Sequence, residues 1–195
     1  MALIRRMMSK CFVGISEKRL NNRRFKKTEE AILRVYLSNE RCVSIGGMAK
    51  RAGISRSTLY HHHRTINSIT IDYKKYILKK YGGLLKREMR VKVGVKALLL
   101  QMILFVLHNK SAFGVLFKRG REDVIVEMLG KKKEIIVRYA GIRKNDRVFM
   151  IYCSEVTELF REWSLDGFSE IKIEELFKNV MYLTDTIKQR LSKIN

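Results

Sequence analysis

The chain has 195 residues, 41 Lys and Arg against 19 Asp and Glu for a formal net charge of +22, and no proline. With 46% hydrophobic residues, a chain of this size hides roughly 70% of its unfolded surface, which excludes global disorder. Its longest nearly apolar stretch, Ala97 to Leu107, is interrupted by Gln101 and falls well short of the ~20 residues of a helical membrane span, so no membrane partner is expected.

Arg5 and Arg6 stand where an export signal would carry its apolar core, and no small-residue cleavage site follows. Cys11, Cys42 and Cys153 are odd in number, far apart and without a C-x-x-C pair, which argues against a disulfide framework or a zinc knuckle. A reducing cytoplasm is the expected location. Proline punctuates loop-rich chains and is costly inside helices, so its absence predicts an all-α fold. The excess of cations predicts a polyanionic partner, nucleic acid ahead of an anionic membrane surface.

Residues 1–27 carry nine Lys and Arg and one acid, Glu17. They read as a basic arm, either a solvated leader or a phosphate-contacting segment. Thr28 offers an N-cap oxygen, Glu29 and Glu30 suit the positive end of a helix, and Ile32, Val35 and Tyr36 follow at helical spacing. A first helix is expected from Thr28 to about Asn39-Glu40-Arg41. Ser44 is positioned to cap a second and Ser55 a third, although Gly46 and Gly47 weaken the second. From Thr65 to Arg90, Ile69, Tyr73, Tyr76, Ile77, Tyr81, Leu84 and Leu85 form one stripe. Val93 to Leu107 is apolar almost all round, the pattern of a helix buried within a bundle. Two shorter segments are expected over Ser111 to Lys118 and Glu122 to Tyr139, punctuated by Gly120, Gly130 and Gly141. In the last two helices, Phe149, Tyr152, Cys153, Val156, Leu159, Phe160 and Trp163 form one stripe; Ile173, Leu176, Phe177, Val180, Leu183, Ile187 and Leu191 form the other. Leu165-Asp166-Gly167 is the turn between them.

The informative segment is Ser44-Ile-Gly-Gly-Met-Ala-Lys-Arg-Ala-Gly-Ile-Ser-Arg-Ser-Thr-Leu-Tyr-His-His-His63. Its pattern is two helices around a sharp turn. Ala49 is small where the helices cross, Gly53 supplies a left-handed residue, and Met48, Ala52, Ile54 and Leu59 form an apolar wedge. The helix after Ser55 opens with Arg56, Ser57, Thr58, Tyr60, His61 and His62, a cluster of donors suited to phosphates and base edges in a major groove. The plainer alternative is an ordinary helical corner within a bundle.

The run from Ala49 to His62 resembles the DNA-binding signature of TetR-family transcriptional regulators, with the motif similarity covering residues 28–64. Phe160-Arg-Glu-Trp-Ser-Leu-Asp-Gly-Phe168 also resembles a tryptophan-then-glycine turn of some C-terminal domains in that family. The resemblance implies an all-α dimer of about nine helices. Residues 28–73 would form a three-helix helix-turn-helix DNA-binding domain, and residues 74–195 a helical effector-binding and dimerisation domain. It implies that Arg56 and Tyr60 contact bases and backbone, that Thr58 and His62 meet phosphate, and that Ser44 and Lys50 touch the backbone. With Ser55, Ser57, His61 and Arg64 these make up the expected DNA-binding set. This chain departs from the family in having His63 for a large aromatic, Ser57 for a glycine or small residue, Gly47 for an acid, and Ile66 for a lysine that Arg64 would replace.

The stripes of the last two helices serve as intramolecular core, as a four-helix interface with a second copy, or as both. Val156, Phe160, Trp163, Phe177, Val180 and Leu183 are the residues expected at a dimer face. The interior around Met102, Phe105 and Val106 is either plain core or, as the resemblance implies, the place for a small-molecule effector. His61, His62 and His63 cannot converge on one ion from successive helical positions about 100° apart, and His108 is the only other histidine, so neither metal nor cofactor is expected. No P-loop, nucleophile elbow or H-E-x-x-H motif points to an enzyme.

The sequence therefore predicts a dimeric regulator, most often a repressor in that family, that binds an operator in duplex DNA. The alternatives are an interaction protein or co-activator of the same fold acting through protein contacts, and an unspecific DNA binder. Residues 1–75 carry 17 basic and 5 acidic side chains and residues 76–195 carry 24 and 14. Nearly half the charge excess thus lies outside the expected reading domain.

Overall fold

In the computed structural model, residues 23–38, 44–88, 94–141 and 146–192 are described. Among these residues the chain is entirely helical. Ten α-helices run in order: α1 (Arg23–Leu37), α2 (Ile45–Ala52), α3 (Arg56–His62), α4 (Ile66–Glu88), α5 (Val95–His108), α6 (Lys110–Lys118), α7 (Asp123–Gly130), α8 (Lys133–Ala140), α9 (Asp146–Leu165) and α10 (Ile173–Ser192), with a short 3-10 turn over Glu170–Lys172 before the last. Two compact units divide between Lys79 and Lys80, inside α4, rather than at residue 73.

In the first unit α1 begins at Arg23, so Thr28 lies within the helix and is not its cap. Nothing between Arg23 and Lys27 breaks a helix, and the run simply extends through Thr28. The expected end of this helix at residues 39–41 and most of the basic arm lie outside the described residues. Ile32, Leu33 and Tyr36 of α1 are buried with Met48, Ala49 and Leu59 of α2 and α3 and with Ile69, Thr70, Tyr73 and Ile77 of α4. The Tyr36 hydroxyl donates to Thr70 Oγ1 at 2.9 Å, and its ring meets Tyr73 edge-on with centroids 5.7 Å apart. A phenol can be buried here because its polar end has a partner. Thr65 opens α4 with a reciprocal cap: its Oγ1 accepts from the Ser68 N–H at 3.0 Å while Ser68 Oγ donates to the Thr65 carbonyl at 2.7 Å.

The second unit is built on α5, which sends Val95, Leu98, Leu99, Met102, Ile103, Phe105 and Val106 inward. Leu100 and Leu104 nevertheless remain partly exposed, so this helix is not covered all round as its composition predicts. Among the described residues no single helix is long and apolar enough to cross a membrane; α5 and α6 together are, but they meet at a bend of 83°. Asn109 holds that bend. Its Nδ2 donates to the Phe105 carbonyl at 2.6 Å and its Oδ1 accepts from Lys80 Nζ at 2.7 Å, while the same ammonium stands over the Phe105 ring.

The single segment expected over Glu122 to Tyr139 is two helices. After Gly130 the ladder tightens, with the Lys132 N–H bonding Leu129 O at 2.8 Å, and a new helix starts from the Lys132 carbonyl, which accepts from Ile136. This break brings the described α-helices to ten where about nine were expected.

The last two helices close on a turn of two left-handed residues, Gly167 (φ 65°) and Phe168 (φ 59°). Phe168 is not a glycine, and its conformation is offset by packing: its ring meets Trp163 and Phe117 edge-on at 5.1 and 5.9 Å. Trp163 Nε1 donates to Ser169 O at 2.9 Å. Four residues expected at a dimer face need correction. Val156, Phe160, Trp163 and Val180 are buried inside the single chain, because their stripes face each other and the rest of the bundle. A second copy could not reach them without opening the subunit. Phe177 and Leu183 are half-buried.

Candidate nucleic-acid interface

The first unit presents its polar residues through α2, a tight turn and α3. Ser44 caps α2, its Oγ accepting from the Gly47 N–H at 3.1 Å. The helix ends in Gly53 at φ 66°; the Gly53 N–H bonds Lys50 O at 3.2 Å and the Ile54 N–H bonds Ala49 O at 3.0 Å. This paired closure needs a left-handed residue, which glycine supplies without a Cβ penalty. Two residues later Ser55 caps α3, its Oγ accepting from the Thr58 N–H at 2.9 Å. Met48, Ala49 and Leu59 are buried beneath, whereas Ala52 and Ile54 are only half-buried. The apolar wedge is therefore narrower than the sequence pattern indicates.

With Leu59 turned inward, Arg56, Ser57, Tyr60 and His61 fall on the opposite side of α3, within an arc of about 140°. All four are exposed, Tyr60 at 54% despite its size. Arg64, just past the helix, and Lys50 on α2 are exposed too. Thr58 and His62 lie at the edges of the buried side and are half-buried. Ser44 and Ser55 spend their hydroxyls on caps, and Ser55 Oγ also lies 2.7 Å from Thr58 Oγ1. That hydroxyl pair was missed in the sequence, although a Ser followed three residues later by a Thr is the spacing of a capping interaction.

Electrostatically the segment is one-sided. From Ser44 to Ile71 the sequence has Lys50, Arg51, Arg56 and Arg64 and not one carboxylate. The first acid is Asp72, whose Oδ1 lies 3.3 Å from Lys75 Nζ and whose Oδ2 is 3.7 Å from His63 Nδ1. His63 ends α3, its N–H bonding Leu59 O at 2.7 Å, and it is buried where the family resemblance expects an aromatic ring. A histidine fills that place with Asp72 beside it. The three successive histidines occupy different surroundings: His61 exposed, His62 half-buried, His63 buried.

In the second unit Met102 and Val106, expected either as plain core or as the surroundings of an effector, are 1% and 0% exposed. Among the described residues a cavity of about 90 Å³ lies at the α9–α10 end, between Leu159, Glu162, Trp163, Lys172 and Leu176. It has room for about three waters, far less than the roughly 300 Å³ at which drug-sized sites begin. Several polar groups of this unit are tied up locally. Lys172 pairs with Asp166, and the contact raises the lysine pKa. Tyr152 shares a 3.0 Å hydrogen bond with Thr184, and burial pushes its phenol up to about 12. Burial likewise pushes the adjacent Cys153 thiol up to about 11, which keeps it protonated and unreactive.

Compared with known proteins, the chain matches no family model, no curated protein and no solved structure.

Proposed function

We propose that the protein is a DNA-binding transcriptional regulator of the TetR type, reading duplex DNA with α3. The observation that carries this reading is the acid-free segment Ser44–Ile71, in which a capped helix over a buried Leu59 exposes Arg56, Ser57, Tyr60 and His61 on one face. A face of donors without carboxylates attracts phosphate and offers side chains for base edges, the two components of groove recognition. Lys50 and Arg64 supply flanking phosphate contacts. Pairing of two copies, repression and release by an effector follow from the resemblance and belong to the same proposal; Phe177 and Leu183 are the members of the expected dimer face left accessible in part.

The test is binding to the DNA upstream of the protein's own coding region against scrambled duplex, across a salt series. Phosphate-dominated binding falls steeply with salt on both duplexes, whereas a regulator keeps a preference of about a thousandfold or more for its operator. Equal affinity for both duplexes would reduce the protein to an unspecific binder. No binding to either would overturn the proposal and leave the interaction-protein reading.

A further inference from the structure

α2 contains an oddity that its own stability does not explain. Gly46 sits in the first turn of a regular eight-residue helix, and glycine is a poorer helix former than alanine, by up to about 1 kcal/mol in a helix interior. Its backbone is not left-handed; the positive-φ residue of this segment is Gly53. What Gly46 has instead is a neighbour. A Cβ on Gly46 would stand 2.9 Å from Arg56 Nε, close enough that one of the two must shift, and 3.0 Å from Nη2 and 3.1 Å from Cζ, tighter than ordinary contact. The Arg56 side chain, rooted at the start of α3, thus lies back across the turn with its guanidinium in the space that a Cβ on Gly46 would need. The segment Ser44–Ile71 itself contains no carboxylate. The contrast with Gly47 is informative, because a Cβ there would meet only Ser44 Oγ, at the ordinary distance of 3.4 Å.

We propose that Gly46 is a positioning residue for Arg56: the missing Cβ makes a seat that holds the guanidinium in one place on the α2–α3 face before DNA arrives. A free arginine side chain samples many rotamers, and ordering it on binding opposes affinity; a seated one has already lost that freedom. The inference rests on the reading of Arg56 as a DNA contact. It adds that the neighbouring helix, and not α3 alone, sets where that contact is made. Arg56 is the flexible partner, so a methyl group at position 46 displaces the guanidinium and leaves the backbone in place.

The experiment is a double-mutant cycle on Gly46→Ala and Arg56→Ala, with Gly47→Ala as control, read both by DNA affinity and by thermal unfolding. Gly46→Ala should weaken binding about three- to tenfold, the effect of one long side chain losing its ordered geometry. In the Arg56→Ala background the same change should cost nothing. Gly47→Ala should bind like the wild type. Thermal unfolding should move the other way, since alanine favours the helix, so a binding loss without a stability loss marks positioning.

An equal loss from Gly46→Ala in both backgrounds, or no loss in the wild type, overturns the inference. Should Gly46→Ala fail to fold, folding restored by Arg56→Ala would uphold the close contact; failure in both backgrounds would show a purely structural glycine and overturn it. Wild-type protein that binds no DNA sinks the regulator reading and this inference together. Wild-type protein that binds DNA with no coupling sinks this inference alone.

Discussion

The two compact units carry similar charge excess and distribute their acids differently along the chain. In the second unit cations have local partners: Arg161 lies 3.7 Å from Glu122 and 3.6 Å from Glu158, Lys178 lies 2.8 Å from Glu174, and Lys172 pairs with Asp166. Lys133 and Lys188 stand over the rings of Phe149 and Tyr139. In the first unit the stretch from Ser44 to Ile71 contains four Lys and Arg and no acid of its own. Net charge alone would rank the two units as near equals. The lesson is that net charge does not say where the acids lie, and a cation with a carboxylate beside it contributes little field at a distance.

If that contrast is right, damage to the second unit should cost the fold, and damage to the α3 face should cost only binding. The largest effect expected is from Trp163→Ala, which removes a buried ring, two edge-on aromatic contacts and the bond to Ser169. A loss of about 3–5 kcal/mol in denaturant unfolding is expected, and a change below about 1 kcal/mol would mean this turn does not anchor the unit. Arg56→Ala and Tyr60→Ala should each weaken operator binding by about 1–3 kcal/mol with unchanged melting, since neither side chain is buried. Unchanged affinity in both would place the reading surface elsewhere. Ser55→Ala should destabilise the first unit by about 1 kcal/mol through loss of the α3 cap, and so lower binding indirectly.

The second unit should also have an alkaline limb. Cys153 and Tyr152 are held above their ordinary values of 9.0 and 10.0, to about 11 and about 12, by burial. The folded state keeps protons that the unfolded chain releases, so stability is full below about pH 9 and declines as pH rises towards 12. Unfolding midpoints at pH 8 and pH 11 check this, and Cys153→Ala should remove the earlier part of the fall; identical midpoints would contradict it. The smallest effect is expected from Lys178→Ala, whose i,i+4 partner Glu174 is fully exposed to solvent: no measurable shift in the midpoint.

Much of this was legible in the sequence where local chemistry decides. Ser44, Gly53 and Ser55 have roles fixed by neighbours within four residues, and each acts as its type and position predict. The stripe Ile69, Tyr73, Tyr76, Ile77 is buried because helical spacing alone puts those side chains on one face. Legibility failed where the outcome depended on longer range. Thr28 looked like a cap because the preceding basic run carries no helix signal of its own. The fate of Val156, Phe160, Trp163 and Val180 could not be read because a periodic stripe does not say which surface will cover it. The seat for Arg56 left only the trace of a glycine in a helix, which propensity arguments record as a weakness.

The turn that joins α9 to α10 has a consequence for how the chain finds its fold. Trp163 bonds Ser169 and packs on Phe168, and Asp166 pairs with Lys172, so every link of the reversal lies within ten residues of sequence. Contacts of such short span close small loops, whose entropic cost is low, and can form before distant segments arrive. A hairpin closed by such short-range links can set the facing stripes of two twenty-residue helices in register before the earlier helices of the unit pack on them.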